Sequence, residues 1–158
     1  MLKPYNGEKP YIFFSYAHDD GDIVLPIIGK IMGKHRVWFD QGIRFGREWD
    51  KEIADKIKGA TVFVFMITEK SLRSANCLDE VCFAKDNGIL FVNALVKDIV
   101  LPSDFLFRYG RYHMWRLFEY ADIEEALANL GERCEELRLT AKEEDEGLSP
   151  PPRGFARE

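Results

Sequence analysis

Seven consecutive residues, Thr61-Val-Phe-Val-Phe-Met-Ile67, carry no charge and nothing polar after the threonine. The run is β-branched and aromatic, and it has the length of a strand. With no side chain to turn towards water, it reads as a strand buried on both faces. Such a strand needs a layer on each side, which points to a parallel sheet between helices. Similar runs are Tyr11-Ile-Phe-Phe-Ser-Tyr16, Arg36-Val-Trp-Phe39 and Ile89 to Val96, with a last short strand near Tyr112–Trp115.

Helical periodicity fills the gaps. Val24, Ile27, Ile28 and Ile31 share one helix face, and Gly33 to His35 end that helix. Pro26 is tolerable there only if the helix starts close to it. Trp49, Ile53 and Ile57 mark a second helix, with Glu52–Lys56 as an i,i+4 pair on its wet face and Gly59 at its end. Cys77, Leu78, Val81 and Ala84 give a third inward stripe, and Asn87-Gly88 stops it. A helical turn is expected near Ser103–Arg108. Asp122-x-x-Glu125 resembles a capping box, followed by a stripe of Ile123, Ala126, Leu127, Leu130 and Leu137. Strand and helix patterns alternate from residue 11 to about 138, so the expectation is an α/β domain with a mainly parallel, five-stranded sheet and helices on both faces. Residues 1–10 read as a polar lead-in, 11–138 as the domain, and 139–158 as a charged, proline-bearing tail or linker.

Composition narrows the function classes. A net charge of −5 and a pI near 5.3 argue against a sequence-independent nucleic-acid binder. The three Cys (77, 82 and 134) form no CxxC, and an odd count without a signal-peptide pattern suits a reducing compartment, so the expectation is cytoplasmic. No apolar run reaches membrane-spanning length. His18, His35 and His113 show no metal spacing, and neither a metal nor a cofactor is expected.

Two motifs fail on inspection. Gly29-Lys-Ile-Met-Gly-Lys34 is one residue short of a phosphate loop, has His35 where a magnesium-holding hydroxyl belongs, and lies in or at the end of a helix. Asp19-Asp20 after the first strand suggests a phospho-acceptor domain, but the Asp required after the third strand is replaced by Thr68.

What survives is a constellation at one end of the sheet. If the strand order is 2-1-3-4-5, the ligand crevice opens between strands one and three, outside their carboxyl ends. Residues 17–22, 40–46 and 71–80 would border it. On the third helix Glu80 falls at the edge of the inward stripe and Asp79 well outside it. Glu80 is therefore expected in the first turn or so of its helix, partly desolvated at a cleft wall, with Asp79 in water. The alternative is a carboxylate that merely favours a helix start.

These segments carry a family resemblance. Tyr11 to Tyr16 with Ala17-His-Asp-Asp20 resembles the opening box of Toll/interleukin-1 receptor (TIR) domains. Val37-Trp-Phe-Asp40 with Gly46-Arg-Glu-Trp49 and Ile53 is similar to the second strand, BB loop and next helix of bacterial TIR domains. Ser71-x-x-Ser74-x-x-Cys77-x-x-Glu80 is similar to the family's third signature. The resemblance implies a flavodoxin-like fold of strand order 2-1-3-4-5 and one of two roles. Many bacterial and plant TIR domains cleave NAD+ between nicotinamide and ribose, with the Glu of the third signature essential; others only assemble signalling complexes. The resemblance implies an NAD+ glycohydrolase (NADase) with NAD+ as substrate and Glu80 as catalytic carboxylate, in a bacterial immune or toxin-like effector active when self-assembled. The alternative is a non-catalytic module that binds other TIR domains.

Other site residues follow by motif position. Tyr16, Ala17 and His18 would line the floor, with His18 reading equally as a solvated loop residue. Asp40, Phe45 and Gly46 would belong to the BB loop, which gates the site in relatives and contacts a neighbouring subunit. Arg44 and Arg47 read first as solvated charges. Trp38 either stacks on a ring or packs in the core, and Trp49 either packs or borders the pocket. Ser71 and Ser74 bind ribose or cap the helix, and Cys77 reads first as packing. Asn76 stands where cyclising relatives often carry Trp, which leaves hydrolysis or another transfer open. Partners would be other TIR domains in a homo-oligomer or filament, with no nucleic acid or membrane at this domain, and a sensor domain could follow the tail.

Overall fold

The computed structural model describes residues 2–42, 46–120, 125, 128–130 and 132, with backbone alone at 46–48. Five strands form one sheet: β1 (Ile12–Ser15), β2 (Val37–Phe39), β3 (Val62–Ile67), β4 (Leu90–Leu95) and β5 (His113–Arg116). Their order is β2-β1-β3-β4-β5 and every pairing is parallel. This is the flavodoxin-like, doubly wound arrangement that the apolar runs and the resemblance imply.

Helices cover both faces because right-handed crossovers leave no other choice. The chain steps outward from β1 to β2 through α1 (Gly21–Met32), so α1 takes one face. It then travels the opposite way, through α2 (Gly46–Gly59), α3 (Glu69–Arg73), α4 (Ala75–Asp86) and α5 (Ser103–Tyr109). α2, α4 and α5 accordingly pack on the other face. The core is two apolar clusters. One joins Val24, Ile27, Ile28 and Ile31 of α1, with Leu130, to Ile12, Phe14, Val64 and Met66. The other joins Ile53, Ile57, Cys77, Val81, Ala84, Phe105 and Tyr109 to Phe13, Phe63, Phe65 and Phe91.

A row of stacked rings crosses the sheet within the second cluster. Trp38, Phe13, Phe63 and Phe91 are register partners on β2, β1, β3 and β4. Successive centroids lie 5.1, 5.2 and 5.5 Å apart, with interplanar angles of 27°, 9° and 16°. Cross-strand aromatic pairs add about 0.5–1.5 kcal/mol each beyond the area they bury.

Several local expectations are corrected. α1 begins at Gly21, five residues before Pro26, so the proline sits inside the helix. Asp22 and Pro26 are both exposed, on a face where water can take the hydrogen bond that the Asp22 carbonyl forgoes. The i,i+4 ion pair made on α2 is Lys51–Asp55, at 3.3 Å, rather than Glu52–Lys56. Gly59 is needed for proximity rather than for a left-handed turn: a Cβ there would lie 2.7 Å from the Tyr11 hydroxyl, which donates to the Lys56 carbonyl. A left-handed glycine does follow α4, where Gly88 (φ 66°) comes after the cap Asn87.

Residues 2–10 are more than a polar lead-in. The Tyr5 amide donates to the Val37 carbonyl at 2.8 Å, on the edge strand β2, and Arg36 donates to the Pro10 carbonyl and sits over the Tyr5 ring. Asp122, Ile123, Ala126, Leu127, Leu137 and the tail 139–158 lie outside the described residues. No helix among the described residues is long and apolar enough to cross a membrane.

The ring row yields the first prediction. Phe63 is 0% exposed and stacks on two neighbours. Phe63→Ala is expected to lower unfolding stability by about 3–5 kcal/mol, read from the urea midpoint. A loss under about 1 kcal/mol would mean that the row is not a main support.

Candidate functional site

Three neighbouring strands, β2, β1 and β3, deliver the chain to one end of the sheet, where three carboxylates are buried. Glu80 is 6% exposed, Asp40 3% and Asp20 4%. A buried carboxylate is costly unless hydrogen-bonded, and each of these is.

Glu80 is the sixth residue of α4. It therefore lies in the helix's second turn, deeper than the first-turn position expected. Cys77, Glu80, Val81 and Ala84 are all buried, at i, i+3, i+4 and i+7 on one face, whereas Leu78 is half-buried and Asp79 exposed. Glu80 thus replaces Leu78 in the inward stripe. Its Oε1 accepts a hydrogen bond of 2.9 Å from the Ser15 hydroxyl, at the end of β1. Ser15 shares the face of Phe13 by strand alternation, which is the face α4 covers.

Asp40 follows β2. Its Oδ1 accepts from the Gly42 amide at 2.9 Å, and its Oδ2 lies 3.4 Å from His18 Nε2. Gly42 has φ 91°, a conformation that favours glycine, and a Cβ there would lie in ordinary contact with the His18 ring, so it is the turn that calls for the glycine. Tyr16 lies between the acids. Its hydroxyl donates to the Asp40 carbonyl at 2.9 Å, and the His18 ring meets it edge-on, 5.1 Å between centroids. Burial pushes the Tyr16 phenol up to about 12, and the charges of Asp40, Cys77 and Glu80 push the same way.

Asp20 belongs to the opposite face. It accepts a 2.5 Å hydrogen bond from the Thr68 hydroxyl, just past β3. Thr68 also caps α3: its hydroxyl accepts from the Ser71 amide, and the Ser71 hydroxyl accepts from the Thr68 amide. Ser71 is 0% exposed, so its hydroxyl serves the cap rather than a ligand. Ser74 ends α3 and starts α4, accepting from the Cys77 amide at 3.2 Å, with its side chain half-buried.

The other sequence candidates fall into place around these. Ala17 is buried beside Tyr16, and the His18 side chain is one-third exposed. Trp38 takes the core alternative: it is 2% exposed and stacks on Phe13. Cys77, also 2% exposed, packs in the same cluster. Trp49 is half-buried against it, and its buried Nε1 has no hydrogen-bond partner among the described residues. Asn76, in the first turn of α4, is exposed. Gly46 is the first residue of α2, while Arg44, Phe45 and the Arg47 side chain lie outside what the structure describes. Sequence reasoning missed Ser15, and it missed Asp20 and Thr68 as a pair. The available signal for Ser15 was a lone hydroxyl in an apolar strand, on the face opposite Tyr16.

This geometry matches a known family. The family model for the TIR domain matches residues 12–130. The chain belongs to the TIR domain family. Similar folds are found in solved TIR domains at low identity. The TIR domain of the Toll-related receptor TRR-2 from the lower metazoan Hydra magnipapillata is 15% identical, with a TM-score of 0.61, over 78% of this chain and 97% of that one. The RPS4 and RRS1 TIR domain heterodimer gives 17% identity and a TM-score of 0.61, over 83% and 99%. The TIR domains of the activated Roq1 resistosome, which directly recognises the pathogen effector XopQ, give 12% and 0.51, over 94% and 95%. No curated protein matches this TIR domain.

The raised phenols predict a pH dependence. Burial pushes the Tyr16 and Tyr11 phenols up to about 12, against 10 ordinarily. Between those values the unfolded chain has lost protons that the folded one keeps. Stability is therefore intact below pH 10 and falls as pH rises towards 12, by up to about 1.4 kcal/mol per pH unit per phenol. Urea unfolding at pH 9 and pH 11 checks this, and Tyr16→Phe should flatten the slope.

Proposed function

We propose that this TIR domain is an NAD+ glycohydrolase, with Glu80 as its catalytic carboxylate, in a self-assembly-activated effector of the bacterial immune or toxin-like kind. The observation that carries the reading is the Glu80 carboxylate: 6% exposed, hydrogen-bonded to Ser15, and at the Glu position of the third signature.

The chemistry suits so few groups. The nicotinamide of NAD+ is already a cationic leaving group and needs no general acid. As the C1′–N bond breaks, its electron pair goes to the nicotinamide nitrogen and the positive charge moves onto the ribose. A fixed carboxylate beside C1′ stabilises that charge, more strongly where water is excluded. Water then bonds to C1′ and releases a proton to solvent, giving ADP-ribose. Asp40 adds to the negative character of this end of the sheet, which suits a cationic ring.

Around Glu80 the reading assigns the remaining roles. Tyr16, Ala17 and His18 form the floor. Asp40 and Phe45 belong to the gating BB loop, and Gly46 opens α2 at its end. Trp49, whose indole N–H has no partner among the described residues, offers it to a polar atom of the substrate, and Ser74 reaches the ribose. Ser71, Cys77 and Trp38 support the site from behind as cap and core.

A second reading is a purely adhesive TIR module. It is favoured by the relatives solved as assemblies, one a heterodimer and one a resistosome. Glu80→Gln separates the two. On the catalytic reading it keeps the wild-type assembly state by light scattering and loses nicotinamide release at least about 100-fold. Turnover within about twofold of wild type would remove Glu80 from the chemistry.

A further inference from the structure

We infer that Ser15 is a positioning residue for Glu80: its hydroxyl aims the carboxylate at the place where the ribose of the substrate is cleaved. The inference rests on the NADase reading of Glu80 and gives a role to Ser15, which lies within the opening box but to which the resemblance assigned none.

Ser15 is 1% exposed and donates to Glu80 Oε1 at 2.9 Å, so the bond is made out of water. Alternation along β1 sends Phe13 and Ser15 to the α4 face, and Phe14 and Tyr16 to the α1 face. Beside Ser15 in the sheet stands Phe65, a ring that cannot donate. Replacing both partners of a buried hydrogen bond by apolar groups of the same shape is commonly close to neutral for stability, so stability alone does not call for the pair. An ionised carboxylate only accepts hydrogen bonds, so a hydroxyl aimed at it favours the charged form and fixes its rotamer together.

Among the described residues, the titratable groups near this bond come from β1, β2 and α4. Tyr16 comes from β1, Asp40 from the end of β2 with His18 beside it, and Cys77 from α4 itself. β3 and β4 carry no titratable side chain. On α3, Glu69, Lys70 and Arg73 are exposed; on α2, Glu52 and Lys56 are half-buried. All of these are unchanged in a Ser15 variant, so a difference in titration belongs to the serine.

The test compares Ser15→Ala and Ser15→Thr with wild type. Ser15→Ala is expected to lower kcat for nicotinamide release about 10–100-fold with KM little changed, as loss of a supporting hydrogen-bond partner does elsewhere. The acid limb of the kcat profile should move up by about one pH unit, and Ser15→Thr, which keeps the hydroxyl, should restore it. A second readout needs no turnover: the 13C carboxyl signal of Glu80, assigned with Glu80→Gln, should titrate at lower pH in wild type than in Ser15→Ala. Equal NMR midpoints overturn the inference, as does a fall in kcat with the acid limb unmoved. If wild type releases no nicotinamide, the NADase reading fails and the NMR comparison alone decides whether Ser15 sets the carboxylate. Urea midpoints check folding, and Ser15→Cys, a weaker donor of similar size, replaces an alanine variant that does not fold.

Discussion

Four stacked rings tie β2, β1, β3 and β4 into one register. Slipping a strand by a single residue would turn each ring to the other face and break both clusters. That register sets the level at which β1 ends. Ser15 comes two residues after Phe13, on the same face and beside Phe65. A helix packed there through Cys77, Val81 and Ala84 must bring Glu80 with it, since all four share one stripe. The rings therefore place a carboxylate that they never touch.

Stability alone does not explain the end of the sheet that results. Glu80 and Asp40 are buried beside the raised phenol of Tyr16, and Asp20 is buried on the opposite face of the same end of the sheet. Like charges brought together out of water work against folding, and each hydrogen bond offsets only part of that cost. Proteins keep such arrangements where an electrostatic task requires them. The polar cluster lies at the carboxyl ends of β1, β2 and β3, where the winding of the sheet reverses and where ligands of open α/β sheets bind.

Much of the architecture was legible in the residues. Continuous apolar runs marked β1, β3 and β4, because a strand buried on both faces leaves no room for alternation. Helical spacing picked out Ile53, Ile57, Val81 and Ala84. The wheel placed Asp79 in water and Glu80 near the stripe, but a wheel cannot say how deep a neighbouring strand lets a side chain sink. The Ser15–Glu80 bond joins residues 65 apart, and local pattern carries no such distance. Ser71 was ambiguous for a related reason: a hydroxyl two turns before a carboxylate reads as ligand or cap until its partner Thr68 is seen. Pro26 sits further inside α1 than the local rule allows because its face is exposed to solvent, and the first ten residues gain order from the edge strand β2 through Tyr5.

The central claim is that this buried carboxylate breaks a glycosidic bond when copies of the domain come together. Nicotinamide release from NAD+, followed across a protein-concentration series with and without a crowding agent, tests it most directly. The account predicts release that rises more steeply than protein concentration and that crowding enhances. No release at any concentration, from protein shown by light scattering to be assembled, would contradict it.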